Sequence, residues 1–73
     1  MERVLITGAL GQLGHEFIKF FIKKNIYVLA SDIRYPKEKL NCDFEIVDAM
    51  DNKRLNVVVK KYNIKYDKTY IFH

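Results

Sequence analysis

Three glycines, Gly8, Gly11 and Gly14, stand at three-residue spacing between the apolar run Val4-Leu5-Ile6 and an amphipathic helical pattern. In that setting each has a physical use. Gly8 lets the chain leave a strand in a tight turn that a Cβ would obstruct. Gly11 lets the backbone approach a pyrophosphate closely, and Gly14 lets the helix pack against its strand. The pyrophosphate would rest on free N–H groups at the helix N-terminus, where the partial positive charge favours an anion. The spacing is G-x-x-G-x-x-G, preceded by Thr7, rather than G-x-G-x-x-G. A tight strand–helix turn without a ligand would use the same residues, so the flanking strand and helix carry the argument.

Two carboxylates extend the pattern. Asp32 lies 18 residues after Gly14 at the end of a second apolar run, close to where an acid accepts hydrogen bonds from the ribose hydroxyls of a bound dinucleotide. A carboxylate there repels a 2′-phosphate and so favours NAD over NADP, with Arg34 turned to solvent. An exposed acid at a strand end is the plain alternative. Asp48 ends a third run, where it could accept from an adenine amino group or cap the helix that follows. His15 reads as a surface residue of the first helical turn, and His73 as a frayed terminus. Tyr35-Pro36-Lys37-Glu38-Lys39 has Tyr-x-x-x-Lys spacing but falls in the loop after the second strand, far from any nicotinamide; it is a chance match. No metal-ligand spacing and no Ser-His-Asp or Cys-His arrangement appears.

The elements that must position these residues follow from periodicity. The first helix is expected from about Gly11 to Lys24, its core stripe formed by Leu13, Phe17, Phe20 and Phe21 and widened by Ile18 and Ile22, with Asn25 as a left-handed cap. Ile26 to Ser31 reads as the second strand, Ile33 to Cys42 as a polar connection, and Phe44 to Val47 as the third strand. A second helix runs from Asp51, its N-cap, to Tyr62, burying Leu55, Val58, Val59 and Tyr62. Thr69 to Phe72 reads as a fourth strand. The order β-α-β-β-α-β predicts an α/β chain with a parallel sheet of strand order 3-2-1-4, the first half of a doubly wound, Rossmann-type fold.

Composition narrows the class. Seventy-three residues, 49% hydrophobic and 30% charged, suit one small globular unit. The net charge of +4 comes from lysines at helix ends and in loops, as helix-dipole complementarity and solubility require, and no basic run is interleaved with aromatics. Nucleic-acid binding is therefore not expected. Cys42 is alone, no run reaches membrane-spanning length, and Met-Glu-Arg opens no signal peptide; a cytoplasmic protein is the expectation.

Thr7-Gly8-Ala9-Leu10-Gly11-Gln12-Leu13-Gly14 resembles the T-G-x-x-G-x-x-G signature of the extended short-chain dehydrogenase/reductases, or NAD-dependent epimerase/dehydratases. With Ser31-Asp32-Ile33-Arg34 and Phe44-Glu45-Ile46-Val47-Asp48, it is most similar to that family's L-threonine 3-dehydrogenase branch. The resemblance implies that Gly8, Gly11, Gln12, Leu13 and Gly14 hold the pyrophosphate, that Asp32 and Ile33 hold the adenosine ribose, and that Asp48 lies near adenine. It implies that a full-length member oxidises L-threonine to 2-amino-3-ketobutyrate with NAD, using a catalytic Ser/Thr and a Tyr-x-x-x-Lys pair expected further along than these residues, Tyr35 and Lys39 being no part of it. The expectation is thus the N-terminal part of an NAD-dependent oxidoreductase, a partial NAD-binding domain without a substrate domain and without turnover alone. The fourth strand would leave an exposed edge open to pairing. A fragment of a sugar-nucleotide epimerase/dehydratase, or a small non-catalytic nucleotide-binding or interaction module, are the alternatives.

Overall fold

The computed structural model describes residues 3–64 and the backbone of residues 70–71. Among the described residues the elements follow in the order β1 (Arg3–Ile6), α1 (Gln12–Lys23), β2 (Tyr27–Asp32), β3 (Asp43–Ile46), α2 (Asn52–Lys61) and β4 (Tyr70–Ile71). The sheet is parallel throughout, in the order β3-β2-β1-β4. This is the expected α/β arrangement with strand order 3-2-1-4. Register pairs Val4 with Val28 and Ile6 with Ala30, Ala30 with Phe44, and Ile6 with Ile71.

The continuous apolar runs of β1 and β2 suit strands covered on both faces. Alternation along them builds two cores. On one face Val4, Ile6, Val28 and Ala30 pack with Ala9 and Ile18, joined by Phe17, Phe21 and, from the connection after β2, Leu40 and Cys42. On the other, Leu5 and Leu29 pack with Val47, Leu55, Val58, Val59 and Ile64. The two helices thus lie on opposite faces of the sheet. The expected buried face of α2 is observed, with Tyr62 half-buried.

The stripe expected on α1 is too wide. Leu13, Phe20 and Ile22 are exposed, and the burial runs through Gly14 and Ile18, flanked by Phe17 and Phe21. Phe20 follows Ile18 by two residues and so points about 200° round the helix from it. Its ring meets Phe21 edge-on, with centroids 5.2 Å apart, and Lys24 Nζ lies 5.1 Å from its centroid.

Both helices end in the same way. Asn25 (φ 60°) and Asn63 (φ 59°) take the left-handed conformation just beyond the last turn. The N–H groups of Ile26 and Ile64 then reach back to the carbonyls of Phe21 and Val59, at 3.0 and 2.9 Å. These are Schellman closures that satisfy carbonyls the helix leaves open. The strands begin or end one residue from the expected bounds. Of the expected fourth strand, Thr69 and Phe72 lie outside the described residues, as does His73.

Candidate functional site

At the C-terminal end of β1 the chain makes the glycine turn. Gly8 adopts φ 62°, which a side chain would resist. Ala9 N–H then donates to Ser31 O at 2.9 Å, and Leu10 N–H donates to Asp32 Oδ2 at 3.1 Å. The turn is therefore pinned to the end of β2. Gly11 is the N-cap of α1 and supplies no side chain to the first turn, which also carries no acidic residue.

The glycines at 11 and 14 do different things. A Cβ built on Gly14 would lie 2.4 Å from Ala9 O and 2.6 Å from Ala9 C and Cα. At Gly14 the helix rests on the backbone of the turn. A Cβ on Gly11 would meet only Gly8 O at 3.6 Å, an ordinary contact, and its φ is −75°. The chain's own packing does not require glycine there. It leaves room beside the open end of α1, as the approach of a pyrophosphate to the backbone requires.

Asp32 stands beside this turn and is 4% exposed. Burial pushes its carboxyl up, but hydrogen bonds from the Arg34 guanidinium and from the N–H groups of Leu10 and Arg34, with the guanidinium's charge, outweigh it and hold it below the usual carboxylate range. The expectation that Arg34 turns to solvent needs correction. Its side chain is 65% exposed, yet its head turns back, Nε to Oδ1 at 3.2 Å and Nη2 to Oδ2 at 3.3 Å. A buried carboxylate next to a free guanidinium draws it in, because the pair restores hydrogen bonds that burial removed from water.

The remaining expected residues surround this point to different degrees. Gln12 and Leu13 are exposed in the first turn of α1, and Ile33 is exposed immediately after Asp32. Asp48 is exposed beyond β3. It does not cap α2: its Oδ1 accepts from Met50 N–H at 2.9 Å, while Asp51 caps the helix by accepting from Arg54 N–H at 3.1 Å. His15 is exposed, with Nδ1 2.9 Å from Gly11 O. Sequence reasoning missed the roles of Ala9 and Leu10. The small side chain of Ala9 was the only signal for the first, and backbone N–H groups leave none for the second.

Among the described residues no group of three or more His, Cys, Asp or Glu is placed to hold a metal ion, and no helix is long and apolar enough to cross a membrane.

No family model matches the chain. Its sequence is similar to uncharacterized epimerase/dehydratases of Staphylococcus haemolyticus, 40% identical over 67 residues, and of Staphylococcus aureus, 40% identical over 70 residues. Each alignment covers 85% of this chain and 21% of the relative, so the chain spans about a fifth of the length of the curated relatives it matches. Its structure resembles a dTDP-glucose 4,6-dehydratase of Bacillus anthracis solved in complex with NAD, with a TM-score of 0.78 and 15% identity over 99% of this chain and 26% of the dehydratase. That likeness is one of fold.

Proposed function

We propose that this chain is the adenosine-side portion of the NAD-binding domain of an epimerase/dehydratase-type enzyme. The observation that carries the reading is Gly11, a glycine with an ordinary backbone angle whose Cβ position would make only an ordinary contact, set at the start of α1 where no side chain caps the helix. In this reading the backbone at Gly8, Gly11, Gln12, Leu13 and Gly14 holds the pyrophosphate. Asp32 and Ile33 hold the ribose, and Asp48 lies on the adenine side. Bound NAD would supply hydride acceptance and return. The described residues bind and orient it, while the proton-transfer groups and the substrate domain belong to sequence outside them.

NAD is favoured over NADP because the ionised Asp32 carboxylate repels a 2′-phosphate. The relatives are named epimerase/dehydratases, with no substrate, and that reaction class fits the sugar-nucleotide epimerase/dehydratase alternative. The L-threonine 3-dehydrogenase reading rests on motif similarity in residues 7–14, 31–34 and 44–48.

Isothermal titration of the folded chain with NAD, NADP and ADP-ribose tests the binding reading. Saturable binding of NAD and ADP-ribose, with NADP weaker, is expected. A chain folded by circular dichroism that binds none of them would leave a structural turn without a ligand.

A further inference from the structure

The carboxylate assigned to the ribose is already engaged. Asp32 accepts four hydrogen bonds: Oδ1 from Arg34 N–H and from Arg34 Nε, both at 3.2 Å, and Oδ2 from Leu10 N–H at 3.1 Å and from Arg34 Nη2 at 3.3 Å. A carboxylate offers about four lone-pair sites, so none is left for a ribose hydroxyl. The two backbone donors are fixed by the turns that carry them. The guanidinium is different, because its side chain is 65% exposed and its head is held by Asp32.

We propose that Arg34 is a displaceable occupant of the ribose position, a residue that sets cofactor affinity by competing with the ribose cis-diol for Asp32. The fork of Nε and Nη2 presents two parallel donors to the two carboxylate oxygens. A cis-diol presents two adjacent O–H donors and takes the same sites. The adenosine end seats only in molecules whose Arg34 has swung away, and the free carboxylate then takes the diol without any change in the backbone bonds from Leu10 and Arg34. The apparent dissociation constant is the intrinsic one divided by the open fraction. For a pair with one partner in solvent, the closed form is favoured by up to about fivefold, so the competition costs affinity by about that factor. The proposal rests on the cofactor reading above and adds to it the residue that must move.

The test uses the 73-residue chain with ADP-ribose as the probe. Arg34→Ala and Arg34→Lys are compared with the unaltered chain by isothermal titration, and the Arg34 Nε–H signal is followed by nitrogen-15 NMR. Arg34→Lys is the deciding variant, because it keeps the charge that attracts the pyrophosphate and loses the fork. It should bind about two- to fivefold more tightly than the unaltered chain, and the gain should vanish in an Asp32→Asn background. The Nε–H signal should shift on saturation toward that of a solvated arginine. Unchanged or weaker binding by Arg34→Lys, or an Nε–H signal that ADP-ribose does not move, overturns the competition while leaving the cofactor site standing. Absence of binding by every folded variant overturns the cofactor reading and this proposal with it.

Discussion

Gly14 and Ala9 meet backbone to backbone: a Cβ on Gly14 would stand 2.4 Å from the Ala9 carbonyl oxygen. The obstacle is main chain, so no rotamer change relieves it. The same turn is tied to β2 through Ala9 N–H and Leu10 N–H, and it cannot move without loosening the strand end. Gly14→Ala should therefore destabilise the chain by about 1–3 kcal/mol, as overpacking of a tight contact does. For a chain of this size that is a loss of roughly 4–8 °C in melting temperature per kcal/mol. Thermal melts followed by circular dichroism measure it, and an unchanged melting temperature would mean that α1 and the turn separate without cost.

Gly11→Val should behave in the opposite way. The new Cβ makes only an ordinary contact, 3.6 Å from Gly8 O, at an ordinary φ, and valine is a poor N-cap residue, so the stability loss should stay at about 1 kcal/mol. Binding of NAD and ADP-ribose should nevertheless be lost, because the branched side chain occupies the position the pyrophosphate needs. The pair of variants separates folding from binding within residues 8–14. A folded Gly11→Val chain that binds NAD unchanged would remove the glycine from the site.

Much of this was legible in the sequence, for identifiable reasons. The strands announce themselves as apolar runs, and strand order follows from the alternation of strands with crossovers. Asp51 and Asn25 could be placed because their cap chemistry is local. Phe20 could not, because periodicity gives the width of an apolar stripe and not the width of the surface that receives it. Here α1 meets the turn at Gly14 and the sheet through Ile18, flanked by Phe17 and Phe21. Within the candidate site the acid and the glycines were readable by type and spacing. The Arg34–Asp32 pair was not, since sequence shows a guanidinium two residues from a carboxylate without showing that the carboxylate is buried.

The cap of α2 offers a check on local chemistry. Asp51 accepts from Arg54 N–H through an exposed side chain, and its carboxylate also sits at the positive end of the helix dipole. Asp51→Ala should cost about 1 kcal/mol. Asp51→Asn, which keeps the acceptor and loses the charge, should recover most of that. Urea denaturation of the three proteins gives the ordering directly, and equal losses for Ala and Asn would assign the effect to charge alone.

Glu45 ties the edge strand β3 to α2 and gives the fold a pH dependence of known sign. Its carboxylate accepts from the Tyr62 hydroxyl, from Arg54 Nη2 at 3.1 Å and from Lys61 Nζ at 3.1 Å. The Tyr62 hydrogen bond, opposed by burial and joined by Lys61 and Arg54, holds the carboxyl below the ordinary glutamate range. A carboxyl depressed in the folded state binds its proton more readily in the unfolded chain, so its contribution is fully present above about pH 4.3, the unfolded value. It is lost as pH falls through the lower folded value. Glu45→Gln should thus melt a few degrees below the unaltered chain at neutral pH, and the gap should close as both are taken down below the unfolded value. Raising the salt concentration should narrow the same gap at neutral pH, because Arg54 and Lys61 are largely exposed and their attraction is screened. A gap that stays constant across that pH range would assign the effect of the substitution to packing of the side chain and not to its charge.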